Sequence, residues 1–283
     1  MIPPEFDYAA PESLEEAIRL LAEGGEDAKL LAGGHSLLPL MKLRLAAPAL
    51  LVDLRRVPGL GGIERENGDF RIGAMTPHAR LADSPEVGLA ARAAGQIADQ
   101  QVRNRGTIGG SLAHGDPASD LPAVMLAAEA TLTLQGAGGQ RTVAAADFFH
   151  DYLTTAVGPE EVLTEIRLPA LEGYGFGYEK FNRRAEDWAM VGVSALVRTS
   201  DGVCEDVRIG LTHMSSVPLR ASAAEEALRG QPLDAERIAA AAEQAAEGTD
   251  PPADLNATSD YKRHLARVMC ARALSQAAQS AGS

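Results

Sequence analysis

A chain of 283 residues carries 39 acidic against 26 basic side chains, a formal net charge of −13 at pH 7. That balance opposes nucleic-acid binding, which relies on clustered Lys and Arg, and an aromatic content of 4% leaves few platforms for stacking bases. No apolar run reaches the roughly 20 residues of a membrane helix, no cationic-then-apolar leader opens the chain, and Cys204 and Cys270 lie far apart, so the expectation is a cytoplasmic protein with no transmembrane segment, disulfide framework, metal site or iron–sulfur cluster of its own.

The length suits roughly two domains of about 150 residues each. Ser13 and Glu16 form a capping-box pattern, with Leu14, Ala17, Ile18 and Leu21 at helical spacing and a stop at Gly24 and Gly25. AKLLA then reads as a short strand, followed by the Gly33-Gly34 turn, an apolar segment around Leu37 to Leu45, and the buried strand ALLVDL. FRIGAM alternates like a strand, Thr76-Pro77 opens a helix, and PEVGLAARAAGQIAD reads as another helix leading into the stretch VRNRGTIGGSLAHGDPASD. ASDLPAVMLAAEA is expected to be a helix capped by Ser119 or Asp120, with Pro122 in its first turn, running into the strand TLTLQ.

VLTEIRLP is a further strand, and LEGYGFGYEKFN alternates glycine with aromatics, a composition suited to a bend or bulged strand between domains. The boundary is placed near Leu171. Beyond it come three strand candidates, YGFGYEKFN, MVGVSALVR and VCEDVRIGLTHM, then alanine-rich helices from Ala221, Ala235 and Asp260. Strands followed by helices indicate an α+β layer domain.

Two glycine clusters hold most of the chemical interest. In Ala32 to Ser36 the backbone offers up to five N–H donors plus the Ser36 hydroxyl, and Thr107, Ser111 and the amides of Ile108 to Gly110 offer a similar set. Two readings stand: paired oxyanion nests suited to a diphosphate, or glycine pairs that only permit tight turns. Arg103 and Arg105 are either basic neighbours of such an anion or a solvated loop. His35 and His114 sit beside the turns without the spacing of a metal site, and each is read first as a local hydrogen-bonding residue. Asp116 reads as a turn aspartate, Asp120 as a helix cap with room for a second role. Lys180, Arg183, Arg184, Glu186 and Asp187 form either a salt-bridged surface turn or, through Lys180, a cation pointing into a cleft between domains.

The blocks LLAGGHSLLPLMKLRLAAPALLVDL, RNRGTIGGSLAHGDPASDLPAVMLAAEATL, VLTEIRLP and YEKFNRRAEDWAMVGVSALV, in collinear order over nearly the whole chain, resemble the FAD-binding medium subunit of molybdenum hydroxylases, the carbon monoxide dehydrogenase and xanthine dehydrogenase family. The resemblance implies an α+β protein: a PCMH-type, vanillyl-alcohol-oxidase-like FAD domain over residues 1–171, with two α/β subdomains of about 1–56 and 57–171, and a C-terminal α+β domain over 172–283 with a three-stranded sheet and helices. It implies that Ala32, Gly33, Gly34, His35 and Ser36, flanked by Leu31 and Leu37, form one diphosphate loop. Thr107, Ile108, Gly109, Gly110 and Ser111 would form the other. Asp120 would lie near the flavin and its ribityl chain, Ile166 would approach the ring as an apolar residue, and Lys180 would place a cation near it, favouring the negatively charged reduced form. No catalytic residue is assigned.

The implied function is electron transfer from iron–sulfur clusters to an external acceptor within a heterotrimer, two of which are expected to form a dimer of heterotrimers. The molybdopterin would lie on a large partner and the two-iron, two-sulfur clusters on a small one, with the complex in the cytoplasm or peripheral at the inner membrane face. Two alternatives of other classes are a stand-alone flavin oxidase or dehydrogenase of the same fold and a non-catalytic partner-binding subunit.

Overall fold

A computed structural model describes residues 2–281. The first layer is a small parallel sheet of β1 (Asp7–Ala9), β2 (Ala28–Leu31) and β3 (Leu50–Asp53) in the order β1-β3-β2, with α1 (Leu14–Gly24) and α2 (Leu37–Lys42) in the connections. The Ser13 hydroxyl accepts from the Glu16 amide and caps α1, whose buried Ala17 and Ile18 pack with Val52 and Leu54.

The second layer is antiparallel, in the order β4-β5-β10-β6-β7. Its strands are β4 (Ile63–Glu66), β5 (Asp69–Gly73), β6 (Thr131–Gly136), β7 (Gly139–Ala144) and β10 (Val162–Leu168), and a hairpin of β8 (Phe149–Asp151) and β9 (Thr154–Thr155) stands beside it. Between β5 and β6 run α3 (His78–Ala82), α4 (Leu89–Ala94), α5 (Gln100–Arg105), α6 (Ile108–His114) and α7 (Asp120–Ala127). All but α5 share one core with the sheet, through residues such as Leu81, Leu89, Leu112, Leu121 and Met125 against Ile72, Leu132 and Ile166. The helix expected over PEVGLAARAAGQIAD is instead a short 3₁₀ turn, Pro85–Val87, and the separate helix α4, because Gly88 takes a left-handed φ of 53° between them.

The third layer is the antiparallel sheet β11 (Tyr174–Phe181), β12 (Val191–Ser200), β13 (Val203–Thr212) and β14 (Leu219–Arg220), with α8 (Ser222–Leu228), α9 (Ala235–Glu243) and α10 (Ser259–Ala281). The short β14 makes it four-stranded where three strands were expected. The bend expected in LEGYGFGYEKFN is also absent: β11 pairs with β12 without a register shift over all its residues. Its glycines serve packing, since a Cβ at Gly175 or Gly177 would stand 2.0 Å from the Ala277 or Ala273 carbonyl oxygen of α10. Central strand β12 is buried on both faces: Val193, Ala195 and Val197 face the C-terminal helices, while Ser194 donates to the Ala123 carbonyl of α7 and Leu196 joins the core of the second layer. Helix α7 therefore fastens the third layer to the second and puts its first residue, Asp120, where the two meet.

Candidate functional site

A cleft of about 750 Å³ runs between the first two layers and reaches the third, in the size range of pockets for drug-sized ligands and cofactors. Its first wall is the turn from β2 to α2. The carbonyls of Gly34 and Ser36 accept from Leu38 and Leu40 of α2, so the preceding amides point away from the helix. The N–H groups of Gly33, Gly34, His35 and Ser36 have no acceptor among the described residues, and the Ser36 hydroxyl makes no capping bond. Gly34 holds a left-handed φ of 80°, which permits the concave arrangement. All of Ala32 to Leu37 lines the cleft, with His35 exposed.

The second wall holds the other glycine block, in a different state. TIGG is not a free turn but the first turn of α6, capped by Thr107. The Ile108 amide donates to Thr76 O at 3.0 Å, the Gly109 amide to Ala74 O at 2.8 Å and the Gly110 amide to Thr107 Oγ1 at 3.1 Å. The donor role expected of these three amides is therefore corrected: their hydrogens are spent inside the protein. What this wall turns to the cleft is side-chain-free backbone at Gly109 and Gly110 with the Thr107 and Ser111 hydroxyls. The blocks meet directly, because a Cβ on Gly33 would lie 2.2 Å from Arg105 O and 2.7 Å from Gly106 Cα.

At the far end the two domains share a buried polar cluster. Asp120 Oδ1 accepts from the Tyr178 hydroxyl at 2.5 Å, and Asp120 Oδ2 accepts from Lys180 Nζ at 2.9 Å. Lys180 Nζ also donates to Gln96 O at 3.2 Å. Burial pushes the Asp120 carboxyl above its usual range against the opposing pull of Lys180 and Tyr178, and burial beside Asp120 pushes the Tyr178 phenol well up. Lys180 lines the cleft as expected, with its side chain only 3% exposed and its charge paired with Asp120.

Several expected residues lie elsewhere. Ile166 is fully buried in the second-layer core opposite Ile72 and Leu132, and the apolar cleft wall on β10 comes from Val162 and Leu163. Leu31 and Ile108 are likewise core residues behind the loops. Arg103 donates to Ile97 O and Ala98 O, clipping its own loop, and Asp116 accepts from the Ala118 amide in a turn. His114 lines the cleft, with burial lowering its pKa. The sequence reading missed His78, Lys29, the Leu153–Thr155 edge and Trp188, all in the lining. Only Trp188 left a signal, as the single tryptophan of the chain beside the charged run at 183–187. No group of metal-ligating side chains occurs among the described residues, and none of their helices is long and apolar enough to cross a membrane.

Two family descriptions match the chain: "FAD binding domain in molybdopterin dehydrogenase" over residues 4–171 and "CO dehydrogenase flavoprotein C-terminal domain" over 176–277. The chain is 46% identical to the carbon monoxide dehydrogenase medium chain of Hydrogenophaga pseudoflava over 282 residues, covering 98% of each. It is 40% identical to the 6-hydroxypseudooxynicotine dehydrogenase complex subunit alpha of Paenarthrobacter nicotinovorans, covering 98% of this chain and 96% of the relative. Among solved structures, carbon monoxide dehydrogenase from Hydrogenophaga pseudoflava superposes with a TM-score of 0.95 at 48% identity, covering 98% of each chain. Quinoline 2-oxidoreductase from Pseudomonas putida 86 does so with a TM-score of 0.95 at 36% identity over 100% of each.

Proposed function

The chain belongs to the FAD-binding medium subunits of the carbon monoxide dehydrogenase and xanthine dehydrogenase family of molybdenum hydroxylases, and on that premise we propose that it takes electrons from iron–sulfur clusters of a small partner subunit and passes them to an external acceptor. The large partner holds the molybdopterin, and two such heterotrimers pair. FAD is the cofactor of this oxidoreductase subunit, and when bound it supplies a centre that collects single electrons and releases them two at a time.

The residues present fit that group. One observation carries the reading: four consecutive unpartnered amides and a free serine hydroxyl on one wall face a side-chain-free backbone surface with two hydroxyls on the other. Uncompensated N–H groups in a concave turn attract an anion, and a diphosphate suits a row of them without help from a lysine. Gly33 to Ser36 donate to it, Ala32 and Leu37 flank it, Gly110 allows close approach, and Gly109 seats that backbone against Ala74. Thr107 and Ser111 add hydroxyls. Asp120, fixed by Lys180 and Tyr178, offers its carboxylate to hydroxyl groups of the ligand at the flavin end, and Leu163, Val157 and Met75 exclude water. Residues 1–171 form the FAD domain, divided near 56, and 172–283 the domain that closes its far end.

Substrate choice is assigned to the large subunit, because relatives named for carbon monoxide, a nicotine derivative and quinoline all resemble this chain over at least 98% of its length. The test uses the assembled complex under anaerobic conditions. Substrate of the large subunit should bleach the flavin absorbance, and a complex lacking the small subunit should keep its flavin but not bleach. Direct bleaching of the isolated flavin-loaded chain by that substrate would overturn the proposal in favour of a self-contained flavoenzyme.

A further inference from the structure

Having spent its amides, the second wall retains one side chain whose hydrogen bonding does not close. His78 opens α3 and is 5% exposed. Its Nδ1 is shut off from solvent without a partner, whereas Nε2, also without a protein partner, is not shut off, and the residue lines the cleft. The ring is held in place: the His78 amide donates to Gly106 O at 2.9 Å, and a Cβ on Gly106 would stand 2.8 Å from His78 Cδ2 and 3.1 Å from Nε2.

This geometry sets the tautomer. A buried N–H without an acceptor is rarer and costlier than a buried lone pair, so the ring hydrogen belongs on Nε2 and the lone pair on enclosed Nδ1. Burial, reinforced by His35 and Arg103, lowers the pKa to about 4 and keeps the imidazole neutral near pH 7. The location is equally specific. Gly106, against which Nε2 packs, is also the residue that Gly33 abuts, so the Nε2 hydrogen stands beside the loop of open amides.

We propose that His78 is a cofactor-positioning residue that donates its Nε2 hydrogen to a phosphate oxygen of the bound diphosphate, an uncharged donor from the wall opposite the free amides. This rests on the FAD reading above. It makes a prediction about the ring nitrogens separately: the Nε2 position matters for binding, and the Nδ1 position does not.

The full chain in its assembled complex, stripped of flavin, is titrated with FAD and with ADP while the melting temperature of the apo form is recorded. His78→Phe keeps the ring volume and removes both nitrogens, His78→Leu does so with less bulk against Gly106, and His78→Gln carries an amide hydrogen near the Nε2 position. His78→Phe or His78→Leu should weaken FAD and ADP alike by about tenfold to a hundredfold without lowering the apo melting temperature, and His78→Gln should stay within about threefold of wild type. Wild-type affinity for FAD in a folded donor-free variant would overturn the proposal. So would a loss confined to FAD with ADP unchanged, which would place the contact on the flavin portion. A wild-type complex that takes up neither ligand would instead overturn the FAD reading itself, and this inference with it.

Discussion

The two walls of the cleft are built from similar sequence, AGGHS and TIGGS, and do opposite things with it. On the first, glycine leaves amides unpaired; on the second, it lets backbone pack against Ala74 and the amides are consumed. Composition announces that side chains are unwelcome at a place, and it does not say whether a ligand or another strand of the same protein occupies the space. Substitutions at the glycines of the first wall should therefore act on binding, and those at the glycines of the second, whose backbone is closed on the protein, on stability.

The largest expected effect lies in the buried cluster that completes the second wall. Asp120→Ala leaves the Lys180 ammonium, 3% exposed, without its counter-charge, and should cost about 3–5 kcal/mol in a denaturant melt. Adding Lys180→Met should recover part of that loss, since the two residues share one interaction. A single variant that melts like wild type would show that this wall is not closed on itself.

Next comes acid sensitivity through His78. Its folded pKa of about 4 lies below the ordinary 6.5, so between these values the unfolded chain binds more protons and stability falls as the pH drops. The contribution is complete above pH 6.5 and its full loss, reached below pH 4, is about 3.5 kcal/mol, as 2.5 pKa units convert at about 1.4 kcal/mol each. Subtracting the pH profile of His78→Phe from that of wild type should reveal this slope, and parallel profiles would refute it.

A matched pair of glycine substitutions tests the contrast directly. Gly109→Ala places a Cβ 2.4 Å from Ala74 Cβ and 2.6 Å from Ala74 O, and should lower apo stability by about 1–3 kcal/mol with FAD affinity per folded molecule nearly kept. Gly34→Ala meets side chains and no backbone, Leu38 Cδ1 at 2.9 Å and Leu31 Cδ1 at 3.3 Å, and disfavours the left-handed turn; it should cost about 1 kcal/mol of stability and about tenfold in FAD affinity. The smallest effect is expected from Ser36→Ala, about fivefold in Kd with no change in melting, the value of one half-buried hydroxyl donor. Reversal of the pattern, with Gly34→Ala unfolding the chain and Gly109→Ala only releasing flavin, would exchange the roles of the walls.

Much of the architecture was legible along the chain. The Ser13 cap, the strands at 28–31 and 50–53 and the run of helices after β13 all follow from local pattern. The unforeseen elements have physical reasons. Strands β4 and β7 are largely exposed edges without a continuous apolar face, and β8 and β9 are too short to show a period. YGFGYEKF looked irregular because its glycines answer to α10, which lies about a hundred positions further along the chain.

Sequence alone determined the family, the α+β layering and the two places where bare backbone is required, because turn chemistry, capping and residue period are properties of neighbours in the chain. Only the tertiary structure decided which of those amides remain free, that Lys180 is neutralised by Asp120, and that Ile166 belongs to the core while His78 faces the cleft. The reason is one of range: the acceptors Ala74 O and Thr76 O lie more than 30 residues before the amides they capture, and the Lys180 counter-charge lies 60 residues away. A hydrogen bond is settled by proximity in space, which local pattern does not encode.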